Sequence, residues 1–281
     1  VHTYYYFYNN AILLVLTGEG IHMVQLYGLF FILSVALLIT LMFMYYNKVS
    51  FFYVLLFFAL VVENLGYMQM STATDLRTAV YANQVVYIGA STVPFFLFMS
   101  LADLCKAKIS NFVQGIYLAL GTVVFSFAST VGVTPWYYKS VELVNVNGVS
   151  FLQKTHGPAH HIYSLYLGSA LIYGLYIILK SFANRKNVSY RISIVLLFIM
   201  LNSVAVYAFE KIFKLQVELL PFAFVLSEVI LLVVLSRVSL YDVSSVSADS
   251  MVDSMEYGFV VFDSKGRYLG SDEAAKAWFS E

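Results

Sequence analysis

An all-α membrane protein built as a bundle of seven transmembrane helices is the fold class this sequence predicts, and three observations predict it. Hydrophobic residues make up 60% of the 281 positions and charged residues 11%, well under the roughly 25% charged residues of a soluble domain. The apolar residues gather into seven runs, each near the roughly 20 residues needed to cross a hydrocarbon core of about 30 Å. Only Glu63 and Glu228 put a formal charge deep inside those runs.

The runs cover residues 24–46, 51–70, 80–101, 112–131, 162–179, 192–209 and 220–235. Orientation follows from Lys and Arg in the connections between them. One set of connections holds Lys48, Lys106, Lys108, Lys180, Arg185, Lys186, Arg191 and Arg237, whereas the opposite set holds only Arg77, Lys139, Lys154, Lys211 and Lys214. Nothing before the first run carries Lys or Arg. The N-terminus is therefore expected outside and the C-terminus in the cytoplasm. Residues 4–16 are apolar and aromatic but short for a span. They read either as a segment lying on the outer surface or as the remnant of a signal sequence or upstream helix. A start at Val1 and an end at Glu281 lead us to expect a fragment at both ends.

The longest connection, residues 132–161, falls on the outer side. Residues 138–144 and 149–153 are rich in β-formers, and Asn147-Gly148 between them is a tight-turn signal, so a short extracellular β-hairpin is expected. Gly157-Pro158 ends the second strand, with Pro158 suited to the first turn of the fifth helix. All five histidines (His2, His22, His156, His160, His161) lie on the outer side, so none can be a cytoplasmic phosphoacceptor. His156 and His160 are weak candidates for metal or pH sensing, because imidazole titrates near neutrality. The surrounding sequence supplies no acidic or Cys partner for a metal, and ordinary interfacial histidines explain them as well.

Ionisable and amide side chains inside a span are costly and usually face the protein interior. Glu63 lies about 10 Å from the outer end of span two, at 1.5 Å per residue, and Glu228 about 12 Å into span seven. Asn202 sits at similar depth in span six, and Asn64 neighbours Glu63. Glu63, Asn64, Asn202 and Glu228 are the candidate ligand-binding residues, with Tyr67, Tyr87, Tyr163 and Tyr207 as walls of a polar cavity. The same groups can instead bond one another and only fix helix packing. Pro94 in span three marks a hinge or a static bend, and Arg237 and Asp242 are candidates for relaying a signal beyond the last span.

Several chemistries are excluded by sequence. Span seven has no Lys for a retinal Schiff base, and no zinc-protease, nucleophile-elbow or phosphate-loop motif occurs. The single Cys105 allows no intramolecular disulfide. A formal net charge of zero gives no electrostatic case for nucleic acid. No enzyme activity and no cofactor are expected in this chain.

From Val238 the composition turns to small and polar residues, and 247–255 reads as a short helix capped by Ser247. The run Gly258-Phe259-Val260-Val261-Phe262-Asp263, the Lys265-Gly266 turn, Arg267-Tyr268-Leu269 and a helical 272–279 with Ala274, Ala275 and Trp278-Phe279 then resemble the opening third of a PAS domain. PAS domains often carry Asn where Ser271 stands. Together with Glu63-Asn64-Leu65-Gly66-Tyr67, Tyr87-Ile88-Gly89 leading to Pro94, Gly157-Pro158, Leu220-Pro221-Phe222 and Leu240-Tyr241-Asp242, this ending makes the chain similar to the N-terminal seven-transmembrane sensor module of bacterial histidine kinases and diguanylate cyclases.

That resemblance implies an outer N-terminal segment (1–23), a sensor bundle (24–240), a signalling linker (241–257) and a truncated cytoplasmic PAS start (258–281). It implies a multi-pass protein of the bacterial cell membrane, a homodimer, that reads an unknown small ligand or another extracellular or intramembrane stimulus. It passes the signal to a downstream cytoplasmic output domain. The alternatives are a small transporter or channel using Glu63 and Glu228, and a passive membrane anchor.

Overall fold

The computed structural model describes residues 20–45, 49–146, 148–183, 190–213, 215, 218–253, 260–262 and 268–271. Among these, seven helical segments are long and apolar enough to cross a membrane. The chain divides into two compact units, Val1–Leu232 and Val233–Glu281. The expected outer segment 4–16, the turn residue Asn147, and the helix expected over 272–279 lie outside the described residues.

The first unit opens with α1 (Gly20–Met44). α2 (Phe51–Ser71) begins where the Ser50 hydroxyl accepts a hydrogen bond from the Phe52 N–H, satisfying a donor the helix itself leaves open. α3 (Leu76–Ala90) starts from a capping box, Asp75 accepting from the Thr78 N–H at 2.9 Å while Thr78 Oγ1 accepts from the Asp75 N–H. α4 (Val93–Leu104) completes the third span, so that span is two helices rather than one. Pro94 has no N–H to donate toward Ala90, and its ring excludes that carbonyl, which breaks the helix. It sits in the first turn of α4, where its missing donor costs nothing.

Carbonyls freed at this break find other donors, as they must at bilayer depth. Thr92 Oγ1 donates to the Ile88 and Gly89 carbonyls at 3.0 Å. The Tyr166 hydroxyl, from α6 (His160–Ala183), donates to the Ser91 carbonyl at 3.1 Å. At its other end α4 closes with Lys106 at φ +52°. The Lys106 N–H donates to the Asp103 carbonyl and the Ala107 N–H to the Ala102 carbonyl, the paired closing bonds of a Schellman motif. Between these helices and α6 run α5 (Asn111–Ala128), β1 (Tyr138–Val146) and β2 (Val149–His156). α7 (Tyr190–Phe213) and α8 (Leu220–Asp253) follow.

β1 and β2 pair antiparallel, with Tyr138 opposite His156 and Val146 opposite Val149. Gly148, at φ +85°, supplies the left-handed turn residue, and both strands run further than the sequence predicts. One hydrophobic cluster joins hairpin residue Leu152 to Met70 and Ala73 at the end of α2 and to Ala79 and Ala82 of α3. A second joins Tyr137 and Tyr138 to Tyr87, Ala90, Ala128 and Ala159. Ser150 Oγ donates to the Ala73 carbonyl at 2.7 Å. These contacts seat the hairpin over one end of the bundle.

α2 is flanked by α1 and α3. Its approach to α3 is set by two glycines. A Cβ on Gly66 would lie 2.5 Å from the Val86 nitrogen, and one on Gly89 would lie 2.5 Å from the Ala59 carbonyl oxygen and 2.6 Å from the Glu63 Cβ. Without a hydrophobic driving force between helices in lipid, this small-residue contact is what holds such pairs.

In the second unit α8 is one helix as far as Asp253, in place of the separate short helix expected over 247–255. Residues 222–253 contain neither Gly nor Pro, so nothing in that stretch breaks the backbone bonding. β3 (Val260–Phe262) and β4 (Tyr268–Ser271) form an antiparallel pair with Val260 opposite Ser271.

The close α2–α3 approach predicts that Gly89→Ala lowers stability by about 1–3 kcal/mol through overpacking. Gly28→Ala, where a Cβ meets nothing within 4 Å, should be neutral or stabilising. Thermal unfolding of both variants in nanodiscs checks this, and equal midpoints would remove the packing argument.

Candidate functional site

Three helices meet through side chains near the middle of the bundle. Asn64 Nδ2 on α2 donates to Ser34 Oγ on α1 at 2.6 Å, and Ser34 Oγ donates in turn to Glu228 Oε2 on α8 at 2.6 Å. Ser34 and Glu228 are fully buried and Asn64 is 1% exposed. One hydroxyl thus both accepts and donates, which is its full capacity for linking two partners. Asn202 on α7 reaches the same last helix, donating to the Ala223 carbonyl at 2.8 Å and to Ser227 Oγ at 3.1 Å.

Glu63 takes no part in this chain. Adjacent residues on a helix point about 100° apart, so Asn64 turns toward α1 and α8 while Glu63 turns toward α3. Its Cβ is the atom Gly89 makes room for. It lies within Coulombic reach of Tyr67 and Tyr163, and its Oε2 has no hydrogen-bond partner among the described residues. The candidate residues thus divide between the Asn64–Ser34–Glu228 chain and Glu63 beside Gly89. Tyr67 and Tyr87 are buried, whereas Tyr207 is 44% exposed and lies within Coulombic reach of Tyr163. Ser34 and Asn83 were not singled out from sequence. Asn83 is fully buried, and neither of its side-chain amide atoms has a partner among the described residues. A lone small polar residue in an apolar run was the available signal, and Ser, Thr and Asn occur in such runs without distinction.

Above the Glu63 face lies an aromatic cluster under the hairpin. The Tyr87 and Tyr138 hydroxyls are 2.5 Å apart, and the Tyr87 ring meets Tyr137 edge-on at 5.1 Å and Tyr163 at 5.8 Å. Burial holds the Tyr137 and Tyr138 phenols well above their ordinary range, so both stay neutral. His156 of β2 and His160 of α6 stack with centroids 3.8 Å apart and planes at 5°. Among the described residues no group of three His, Cys, Asp or Glu could hold a metal ion. Cys105 is buried, and burial pushes its thiol up. It is a poor nucleophile.

The hairpin also touches the start of the last helix. Lys154 Nζ stands 3.7 Å from Glu218 Oε1. The Tyr27 hydroxyl of α1 donates to the Glu218 carbonyl at 2.8 Å and accepts from the Glu218 N–H at 3.2 Å. Glu210 Oε1 accepts from the Leu219 N–H, a carboxylate placed where the first turn of α8 has an open donor. Partly exposed ion pairs contribute little on their own, so the fixed geometry here comes from Tyr27 and Glu210.

Alongside Glu228 is a narrow cleft of about 30 Å³, room for one or two waters. Phe57 and Leu60 of α2, Leu97 of α4 and Phe224 of α8 are among its apolar walls, and Ser203, Ser227 and Glu228 are its polar residues. Of the remaining sequence candidates, Pro94 is buried at the break in the third span, Arg237 is exposed, and Asp242 lies on α8.

Over residues 28–244 the sequence matches the family described as the N-terminal 7TM region of histidine kinase. No curated protein matches the chain.

Removing the Ser34 hydroxyl leaves Asn64 Nδ2 and Glu228 Oε2 without their partner, so Ser34→Ala should cost about 1–2 kcal/mol, the scale of interhelical bonds in membranes. A double-mutant cycle of Ser34→Ala with Asn64→Ala should give a non-zero coupling energy in unfolding measurements. Additive effects would mean the bond carries no stability.

Proposed function

Because the chain belongs to the family of N-terminal 7TM regions of histidine kinases, we propose that it is the sensory input module of a bacterial membrane kinase, reading an extracellular or intramembrane stimulus and relaying it along α8. Membrane embedding in several passes and a role on the input side follow from the family and from the seven apolar helices. The stimulus and the relay are the proposal. The observation that carries it is the Asn64–Ser34–Glu228 chain. It ties α1 and α2 by side chain to α8, which continues to Asp253. A stimulus that favours one arrangement of these groups over another biases that helix, and a differential affinity for two arrangements is all such a signal requires.

Two further features support the reading. Lys154 pairs the hairpin with Glu218, two residues before α8, so an event on the hairpin face has a short route to the same helix. After α8 the antiparallel β3–β4 pair falls where the first two strands of a PAS domain are expected. The excess of Lys and Arg in one set of connections supports a hairpin outside and β3–β4 in the cytoplasm. The output domain in this reading is a histidine kinase that works as a homodimer. Transport through Glu63 and Glu228 is less well supported, because Glu63 packs beside Gly89 of α3 whereas Glu228 is bonded to Ser34 of α1.

Glu63→Gln and Glu228→Gln in the full-length kinase should insert at wild-type levels. Each should shift basal autophosphorylation by roughly fivefold or more, the lower end of ordinary coupling energies. Unchanged output in both variants would leave the passive anchor as the better reading. Topology is checked separately with Glu142→Cys in a Cys105→Ser background, which a membrane-impermeant maleimide should label on intact cells.

A further inference from the structure

We propose that the cleft beside Glu228 is a site for one or two ordered waters, which carry hydrogen bonds from Glu228 Oε1 to Ser203 of α7 and join the polar groups of four helices into one run. The cleft lies between α2, α4, α7 and α8, and Phe57, Leu60, Ile199 and Leu231 are among its buried apolar walls. Its polar residues are Glu228, Ser203 and Ser227. Glu228 is fully buried, with Oε2 engaged by Ser34 and Oε1 without a partner among the described residues. A serine inside a helix can donate to a carbonyl one turn back, as Ser71 does to Met68 at 2.7 Å and Ser169 to Tyr166 at 2.8 Å. The two serines of the cleft do not. Among the described residues Ser203 makes no hydrogen bond, and Ser227 accepts from Asn202 at 3.1 Å and donates to nothing.

Three groups with hydrogen-bonding capacity to spare thus line a space of about 30 Å³, above the ~10–15 Å³ that a buried water needs. Cavities lined only by apolar groups stay dry, whereas a water with about two to four polar partners is held as part of the structure. A longer ligand has no room. A divalent cation takes roughly six to eight oxygens, more than these three side chains supply. Water also fits the direction of the bonds already made. Asn64 Nδ2 can only donate, so Ser34 Oγ accepts from it and spends its single proton on Glu228 Oε2. What remains is Oε1, and a water can donate to that oxygen or accept a proton from it. Its other bonds go to serine hydroxyls, which both donate and accept. The run then passes from Asn64 through Ser34 and Glu228 to Ser203, so that α7 joins α1, α2 and α8.

The inference deepens the sensory reading by adding a tie from α7 to the last helix, and rests on that reading only for the step from the waters to output. The test is crystallography of the 281-residue chain in a lipidic mesophase, at a resolution that shows ordered waters. One or two solvent peaks should connect Glu228 Oε1 to Ser203 Oγ, each link at roughly 2.5–3.0 Å. Ser203→Ala removes the hydroxyl without crowding the cleft. It should lose the peak bonded to Ser203 and keep the Ser34–Glu228 bond. A dry cleft, an elongated lipid density, or a direct bond between Oε1 and either serine would overturn the proposal. So would a peak that Ser203→Ala leaves in place. In the full-length kinase Ser203→Ala should shift basal autophosphorylation by roughly fivefold. If the waters are present and output is unmoved, the site stands and its part in the relay falls. If the cleft is dry while Glu228→Gln still alters output, this inference fails and the sensory reading stands.

Discussion

Ser34 Oγ sits where three helices meet, and much of the bundle is organised around the demand it meets. In hydrocarbon a polar side chain has no water to fall back on, so each one must find a protein partner or stand unsatisfied at a cost. Asn64 and Glu228 both answer that demand through the one hydroxyl. The first helix, the second and the last are thereby held in one register. Asn202 applies the same constraint from α7, spending its amide on the Ala223 carbonyl and Ser227. The last helix is pinned by side chains rather than by the close glycine contact that joins α2 to α3.

That difference in how helices are held bears on function. Backbone-to-backbone contact such as Gly89 on Ala59 is intolerant of change, because a shift of a few tenths of an ångström meets steric repulsion. Hydrogen bonds between side chains can be exchanged for others at small cost, about 0.6 kcal/mol on average in membranes. The α2–α3 contact is thus the less adjustable of the two, and the ties of the last helix the more adjustable. The family places an output-bearing region after this bundle, and α8 is the helix that leaves it.

Among the described residues, Glu63 Oε2, Asn64 Oδ1, both amide atoms of Asn83, Glu228 Oε1 and the hydroxyls of Ser100, Tyr137, Ser181 and Ser193 are buried without a hydrogen-bond partner. Stable packing alone favours full satisfaction of such groups. The stacked His156 and His160 rings and the Tyr27 and Glu210 bonds at the start of α8 sit between the hairpin and the rest, and make the hairpin a part of the bundle's polar wiring.

Much of this was legible in the sequence because its cause is local. Seven apolar runs fix seven spans by length alone, Asn147-Gly148 fixes a hairpin through the turn it allows, and Pro94 marks the break in the third span because it lacks an N–H. Glu63, Asn64, Asn202 and Glu228 stood out because a polar group among apolar ones is costly wherever it ends up. What the sequence could not assign is partnership. Glu63 and Asn64 are neighbours in the chain yet meet different helices, and Ser34 meets Glu228 across 194 positions. Such pairings depend on the rotation of each helix about its axis, and that rotation is set jointly by all the neighbours in the bundle. Depth in the membrane is a property of one helix and can be counted along the chain; facing is a property of several, and only the tertiary structure decides it.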